Sequence, residues 1–76
     1  MSNIPTINMA ETGLNIANLR KERGLTVKQV QDALGFRNKN AIFRWQRGET
    51  LPTLDNLVIL ANLFDVTLDE IVVVTK

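Results

Sequence analysis

Cysteine, histidine and tyrosine do not occur in this chain, and serine occurs once, at Ser2. Without cysteine there is no disulfide framework, thiol nucleophile or thiolate metal site. Without histidine the commonest general base and the commonest metal ligand are gone. Carboxylates and lysines are present, but no spacing sets two of them up as an acid–base pair. An enzyme is therefore not expected, and neither a metal nor a cofactor is implied. The opening stretch, MSNIPTINMAETG, has no basic n-region and no long apolar run, so it does not read as a signal peptide. No apolar run approaches the roughly 20 residues needed to cross a bilayer. A soluble cytoplasmic protein without a membrane partner is the expectation.

What is present suits one small globular domain. At 76 residues and 45% apolar, the chain sits near the lower limit for folding without a metal or disulfide. Its formal charge of +1 is small, but the charges are sorted by position. Every Lys and Arg except Lys76 lies between Arg20 and Arg47, opposed there only by Glu22 and Asp32. From Glu49 to Thr75 there is no basic residue, while Glu49, Asp55, Asp65, Asp69 and Glu70 are acidic. The densest basic stretch, GFRNKNAIFRWQRG, holds Arg37, Lys39, Arg44 and Arg47 and no acid. A basic run of this kind is commonly a solvated helix face, so its surroundings decide its meaning.

Helical periodicity runs through most of the chain and breaks at regular punctuation. Residues 14–23 place Ile16, Ala17 and Leu19 on one face before Gly24. Thr26 and Gln29 make a capping-box pattern, and Val27, Val30 and Leu34 then repeat along a short helix that Gly35 ends. Asn38 can cap a third helix over 39–47, with Ala41, Ile42 and Trp45 inward and Gly48 as its stop. Pro52 keeps Leu51 out of helical geometry. Thr53 is expected to cap a fourth helix with Leu54, Leu57, Val58, Ala61 and Phe64 along its apolar stripe. Thr67 and Glu70 open a short fifth helix containing Leu68 and Ile71. The expected fold is all-α, five short helices in one layered core.

The ends read differently. Val72, Val73 and Val74 favour strand, and Ile4 to Met9 read as extended, with Pro5 excluding a central strand position. The two segments either pair, with each other or with a second chain, or fray. The organisation is therefore an extended segment at 1–11, a helical domain at 12–72, and a tail or short strand at 73–76.

Residues 27–34 and 39–47, joined by a tight turn containing glycine, form a helix-turn-helix. That geometry is common among all-α proteins, but the outward face of the second helix is distinctive: Lys39, Asn40, Phe43, Arg44 and Arg47. Lys and Arg donate to guanine O6 and N7, and Asn bonds adenine bidentately in the major groove. Phe43 has two readings, contact with a thymine methyl or packing against the neighbouring helix. Asn38 and Lys39 sit at the start of the third helix and Lys28 at the start of the second, where free N–H groups favour phosphate.

GLTVKQVQDALGF, followed by AIFRWQRGETLPTLDNLVILANLFDVTLDEI, resembles the Cro/repressor-type (XRE-family) helix-turn-helix domain from about Asn15 to Ile71. The resemblance implies a compact five-helix repressor-like domain. It further implies a bacterial or phage transcriptional regulator, often a repressor, that places its third helix in the major groove of double-stranded DNA as a homodimer. Lys39, Asn40 and Arg44 would face base edges, with Asn38 and Arg47 nearer the backbone. Three departures qualify the transfer. Val27 stands where the family commonly has Gln. The stretch from Gly35 to Trp45 is one residue longer than usual, which reshapes the turn and pushes Arg37 outward. Where the family often pairs a first-helix Arg with Glu, this chain has Arg20 and Gln46, for which a hydrogen bond is expected. A second reading, an antitoxin-like or adaptor module that holds a toxin or another regulator, rests on the acidic C-terminal third and the Val72–Val74 edge. Any self-association is expected to use the fourth and fifth helices or the terminal strands.

Overall fold

Short polar side chains mark where the helices begin in a computed structural model that describes residues 4–75. Residues 1–3 and Lys76, which belong to the terminal segments read as extended or frayed, lie outside the described residues. The order is β1 (Thr6–Ile7), α1 (Met9–Glu22), α2 (Val27–Leu34), α3 (Asn40–Gln46), α4 (Leu54–Phe64), α5 (Leu68–Ile71) and β2 (Val74–Thr75). Five helices around a shared core bear out the all-α expectation, and the only sheet among the described residues is two-stranded.

α1 starts well before residue 14, inside the 1–11 segment that reads as extended. Asn8 is the cause: its backbone is extended, and its Oδ1 accepts from the Glu11 N–H at 2.9 Å, satisfying an otherwise unpaired donor. The added turn buries Thr12 and Gly13. Neither is strongly apolar, so a reading by hydrophobic period passes over them. Thr53 likewise occupies the cap position of α4, but its hydroxyl donates to the Asp55 carboxylate, and no side-chain bond caps the helix.

The terminal segments pair with each other. β1 and β2 run antiparallel, with Thr6 opposite Thr75 and Ile7 opposite Val74. The ribbon is tied to α1 by Asn8 N donating to Val73 O (2.8 Å) and by Val73 N donating to Oγ1 of the buried Thr12 (2.9 Å). Asn15 Nδ2 donates to the carbonyls of Glu70 (2.6 Å) and Ile71 (3.0 Å), satisfying the last turn of α5.

Ile16, Val30, Ile42, Trp45, Leu60, Ala61, Phe64 and Ile71 form the buried centre. The stripe expected on α4 is corrected here. Leu54 and Val58 are 70% and 54% exposed, and Leu60 is buried instead. Leu57 to Ala61 are consecutive apolar residues, so periodicity alone leaves the inward arc undetermined. Packing of α4 against α2 and α5 selects it.

Gly24, Gly35 and Gly48 follow α1, α2 and α3 in the left-handed region, and Asp65 takes the same conformation after α4 at φ 59°. An aspartate is unfavourable there, both as a side-chain-bearing residue at positive φ and as an anion at a helix C-terminus. Asp65→Asn should therefore raise stability by about 0.5 kcal/mol, read as a Tm increase of about 3 °C at neutral pH. An unchanged or lower Tm would show that the carboxylate has a compensating partner.

Candidate nucleic-acid interface

The helix-turn-helix begins at a reciprocal cap. Gln29 N donates to Thr26 Oγ1 (3.1 Å), and Thr26 N donates to Gln29 Oε1 (2.8 Å). Gly35 ends α2 at φ 73°, a conformation that a Cβ would strain. Beyond it the chain is held by Gln31, a buried polar residue whose Nε2 donates to Phe36 O at 3.0 Å. The Phe36 ring meets Trp45 edge-on, with centroids 5.7 Å apart. Together these contacts anchor the first part of the turn to the core while Arg37 is exposed. Sequence reasoning missed Gln31, although a signal was present: it lies four residues after Val27, on the face that packs inward.

α3 is assigned from Asn40, one residue later than the predicted start. Lys39 occupies the cap position without a side-chain bond. Asn38 supplies that bond, its Oδ1 accepting from Asn40 N at 3.0 Å. Ile42 and Trp45 are buried, while Lys39, Asn40, Phe43, Arg44 and Arg47 are exposed. Phe43 retains 39% of its surface, so packing against a neighbouring helix accounts for only part of it.

Behind α3 lies α1, in unusually close approach. A Cβ added to Gly13 would overlap the Trp45 carbonyl oxygen and lie 2.9 Å from that of Gln46. One added to Gly48 would lie 2.8 Å from Ala10 Cα. Absent side chains thus let α1 sit against the C-terminal end of α3. Arg20 spans the same junction, its Nε donating to Gln46 Oε1 (3.1 Å) and its Nη1 to Leu25 O (2.8 Å). The half-buried Arg20 is thereby committed to the scaffold, and Arg23 Nη2 points to the Asp65 carbonyl at 3.5 Å.

Two cations of the expected interface carry carboxylate partners. Lys28 Nζ lies 2.8 Å from Asp32 Oδ1 across one helical turn. Arg47 Nε donates to Glu49 Oε2 at 2.6 Å and its Nη2 to Oε1 at 3.4 Å. This hydrogen bond holds the Glu49 carboxyl below its usual range and raises the Arg47 guanidinium, with desolvation opposing both. The charges of Arg47 and Arg44 lower Glu49 further. Arg37, Lys39 and Arg44 make no ion pair among the described residues. The expected cations thus divide into two paired and three unpaired, a distinction the basic stretch alone conceals because Glu49 follows just after it. Among the described residues, no helix is long and apolar enough to cross a membrane.

A family model described as helix-turn-helix matches residues 16–71. The phage CTXphi transcriptional repressor RstR of Vibrio cholerae is 34% identical over 56 residues, 74% of this chain. The chain spans about half the length of that curated relative, the match covering 49% of it. The restriction-modification controller protein C.AhdI from Aeromonas hydrophila superposes with a TM-score of 0.73 at 22% identity, over 83% of this chain and 94% of that one. The DNA-binding domain of BldD superposes with a TM-score of 0.70 at 21% identity, over 86% of this chain and 93% of that one. At such identities the two superpositions establish the fold.

Proposed function

The chain belongs to the helix-turn-helix family of the Cro/repressor (XRE) type, and on that premise we propose that it is a DNA-binding transcriptional regulator, specifically a repressor that reads double-stranded DNA as a homodimer. The observation that carries the reading is the division of α3. Ile42 and Trp45 lock one side into the core, while Lys39, Asn40, Phe43 and Arg44 stand exposed on the other. A short helix so anchored presents donors for guanine and adenine edges and an apolar group for a thymine methyl. Arg37 supplies charge for phosphates, and Asn38 keeps its amide N–H groups available while its oxygen caps Asn40.

A homodimer is supported by what α4 leaves uncovered. Leu54 and Val58 lie one turn apart and largely exposed, with Ile59 beside them also exposed, and a domain of this size alone covers too little duplex for tight specific binding. Two copies related by a two-fold axis would present their α3 helices about one turn of DNA apart. Val58→Asp should weaken the dimer by at least tenfold in sedimentation equilibrium while leaving the Tm nearly unchanged, because Val58 is not part of the core. A variant that stays dimeric would move the interface elsewhere.

The decisive experiment is selection of bound duplexes from a random pool. A two-fold symmetric motif with half-sites about one helical turn apart supports the reading. Failure to shift random duplex at low salt and micromolar protein would instead favour the protein-interaction module, with the exposed α4 face as its contact surface.

A further inference from the structure

Resting on the DNA-binding reading, we infer that Glu49 competes with backbone phosphate for the Arg47 guanidinium and so lowers affinity for duplex DNA of any sequence. The turn after α3 sets the geometry. Gly48 N donates to Trp45 O (3.0 Å) and Glu49 N to Arg44 O (2.9 Å), folding the chain back over the helix end. Glu49 is thereby placed beside Arg47 and within the field of Arg44. A helix C-terminus repels an anion and favours a cation, so Glu49 depends on these two arginines for its place there. A carboxylate and a phosphodiester both offer paired oxygens to the fork of a guanidinium. Arg47 can satisfy one of them fully, not both.

The magnitude makes this a bias and not a block. Both side chains are more than half exposed, and pairs of that kind shift equilibria by about 1.5- to 5-fold. Each subunit would lose up to that factor in attraction for any phosphate backbone, and a dimer its square. Base-edge contacts made by Lys39, Asn40 and Arg44 are untouched, so random DNA and a matched site are weakened alike, and Glu49 sets overall affinity and its salt dependence. Asp32 holds Lys28 by the same chemistry, but a flexible ammonium at helical spacing is the looser pair. The two-residue separation of Arg47 and Glu49, bridged by two hydrogen bonds, is the more specific arrangement.

The test is a double-mutant cycle of Glu49→Gln and Arg47→Ala, with affinities for random duplex and for a selected site measured across a salt series. Glu49→Gln should tighten random duplex about 1.5- to 5-fold per subunit and steepen the log–log salt slope by about 0.9 per subunit. A selected site should tighten by the same factor, leaving the ratio of specific to random affinity unchanged. Arg47→Ala should cost less than twofold with Glu49 present and about fivefold with Gln. Asp69→Asn, which removes an acid from α5, should reproduce none of this. Equal costs of Arg47→Ala in the two backgrounds, or an equal effect of Asp69→Asn, would overturn the inference while leaving DNA binding intact. If neither the wild-type chain nor Glu49→Gln binds duplex at low salt, the DNA-binding reading fails and this inference with it.

Discussion

Gly13→Ala is expected to lower the stability of the fold by about 2–3 kcal/mol, although alanine is the better helix former. In an exposed helix interior the exchange would gain about 1 kcal/mol. At Gly13 the new methyl meets the carbonyl oxygens of Trp45 and Gln46. These are backbone atoms at the end of α3, so no rotamer change relieves the overlap, and α1 and α3 must separate. Overpacking of this kind costs about 1–3 kcal/mol and occasionally more, and the added gap loosens Ile16 against Ile42 and Trp45. A domain of this size has on the order of 4–11 kcal/mol in total, so Tm should drop by on the order of 10–20 °C. Asn18→Ala, on an exposed position of the same helix, serves as the control and should hold or raise Tm. If both variants were equally stable, the α1–α3 approach would be looser than the geometry states.

Replacement of Arg44 by Ala should leave the fold intact and relax sequence discrimination at one base pair of each half-site. Arg44 is exposed and unpaired on α3, so its truncation should change stability by less than about 0.5 kcal/mol. On DNA the loss of one Arg–guanine contact should cost about 1–3 kcal/mol, and the loss should concentrate at one base pair of each half-site. Lys28→Ala is the contrasting variant. Because Asp32 already holds Lys28, its removal should weaken all sequences alike and only modestly. A uniform loss from Arg44→Ala, measured by binding to single-base variants of a selected site, would reassign Arg44 from bases to backbone.

The residues behind these predictions differ in how plainly the chain announces them. Thr26 with Gln29 and the glycine after α2 could be located without coordinates, because a cap or a turn depends on neighbours within a few residues. The alternation of Ile42 and Trp45 with Lys39, Asn40, Phe43 and Arg44 was legible for the same reason. One helical period assigns the two sides. Gly13 carried no such mark, since its importance lies in an atom it lacks and in carbonyls more than thirty positions away. Val58 shows the opposite failure. Its apolar side chain fits a core stripe, yet α4 is apolar around most of its circumference and only its neighbours choose the inward arc. Glu49 was counted with the acidic C-terminal third, although the turn after α3 returns it to the basic face.

Interactions that close within one or two turns thus belonged to the chain alone: four of the five helix starts to within one residue, the helix-turn-helix and the sidedness of α3. Those that join distant segments arose only in the folded molecule. These are the fit of Gly13 under α3, the pairing of β1 with β2, and the exposed arc of α4, whereas the bond from Arg20 to Gln46 was already expected from the family resemblance. The physical reason is range. Capping and periodicity act through backbone geometry shared by adjacent residues, whereas burial, close approach and charge pairing depend on which surfaces the whole core brings together.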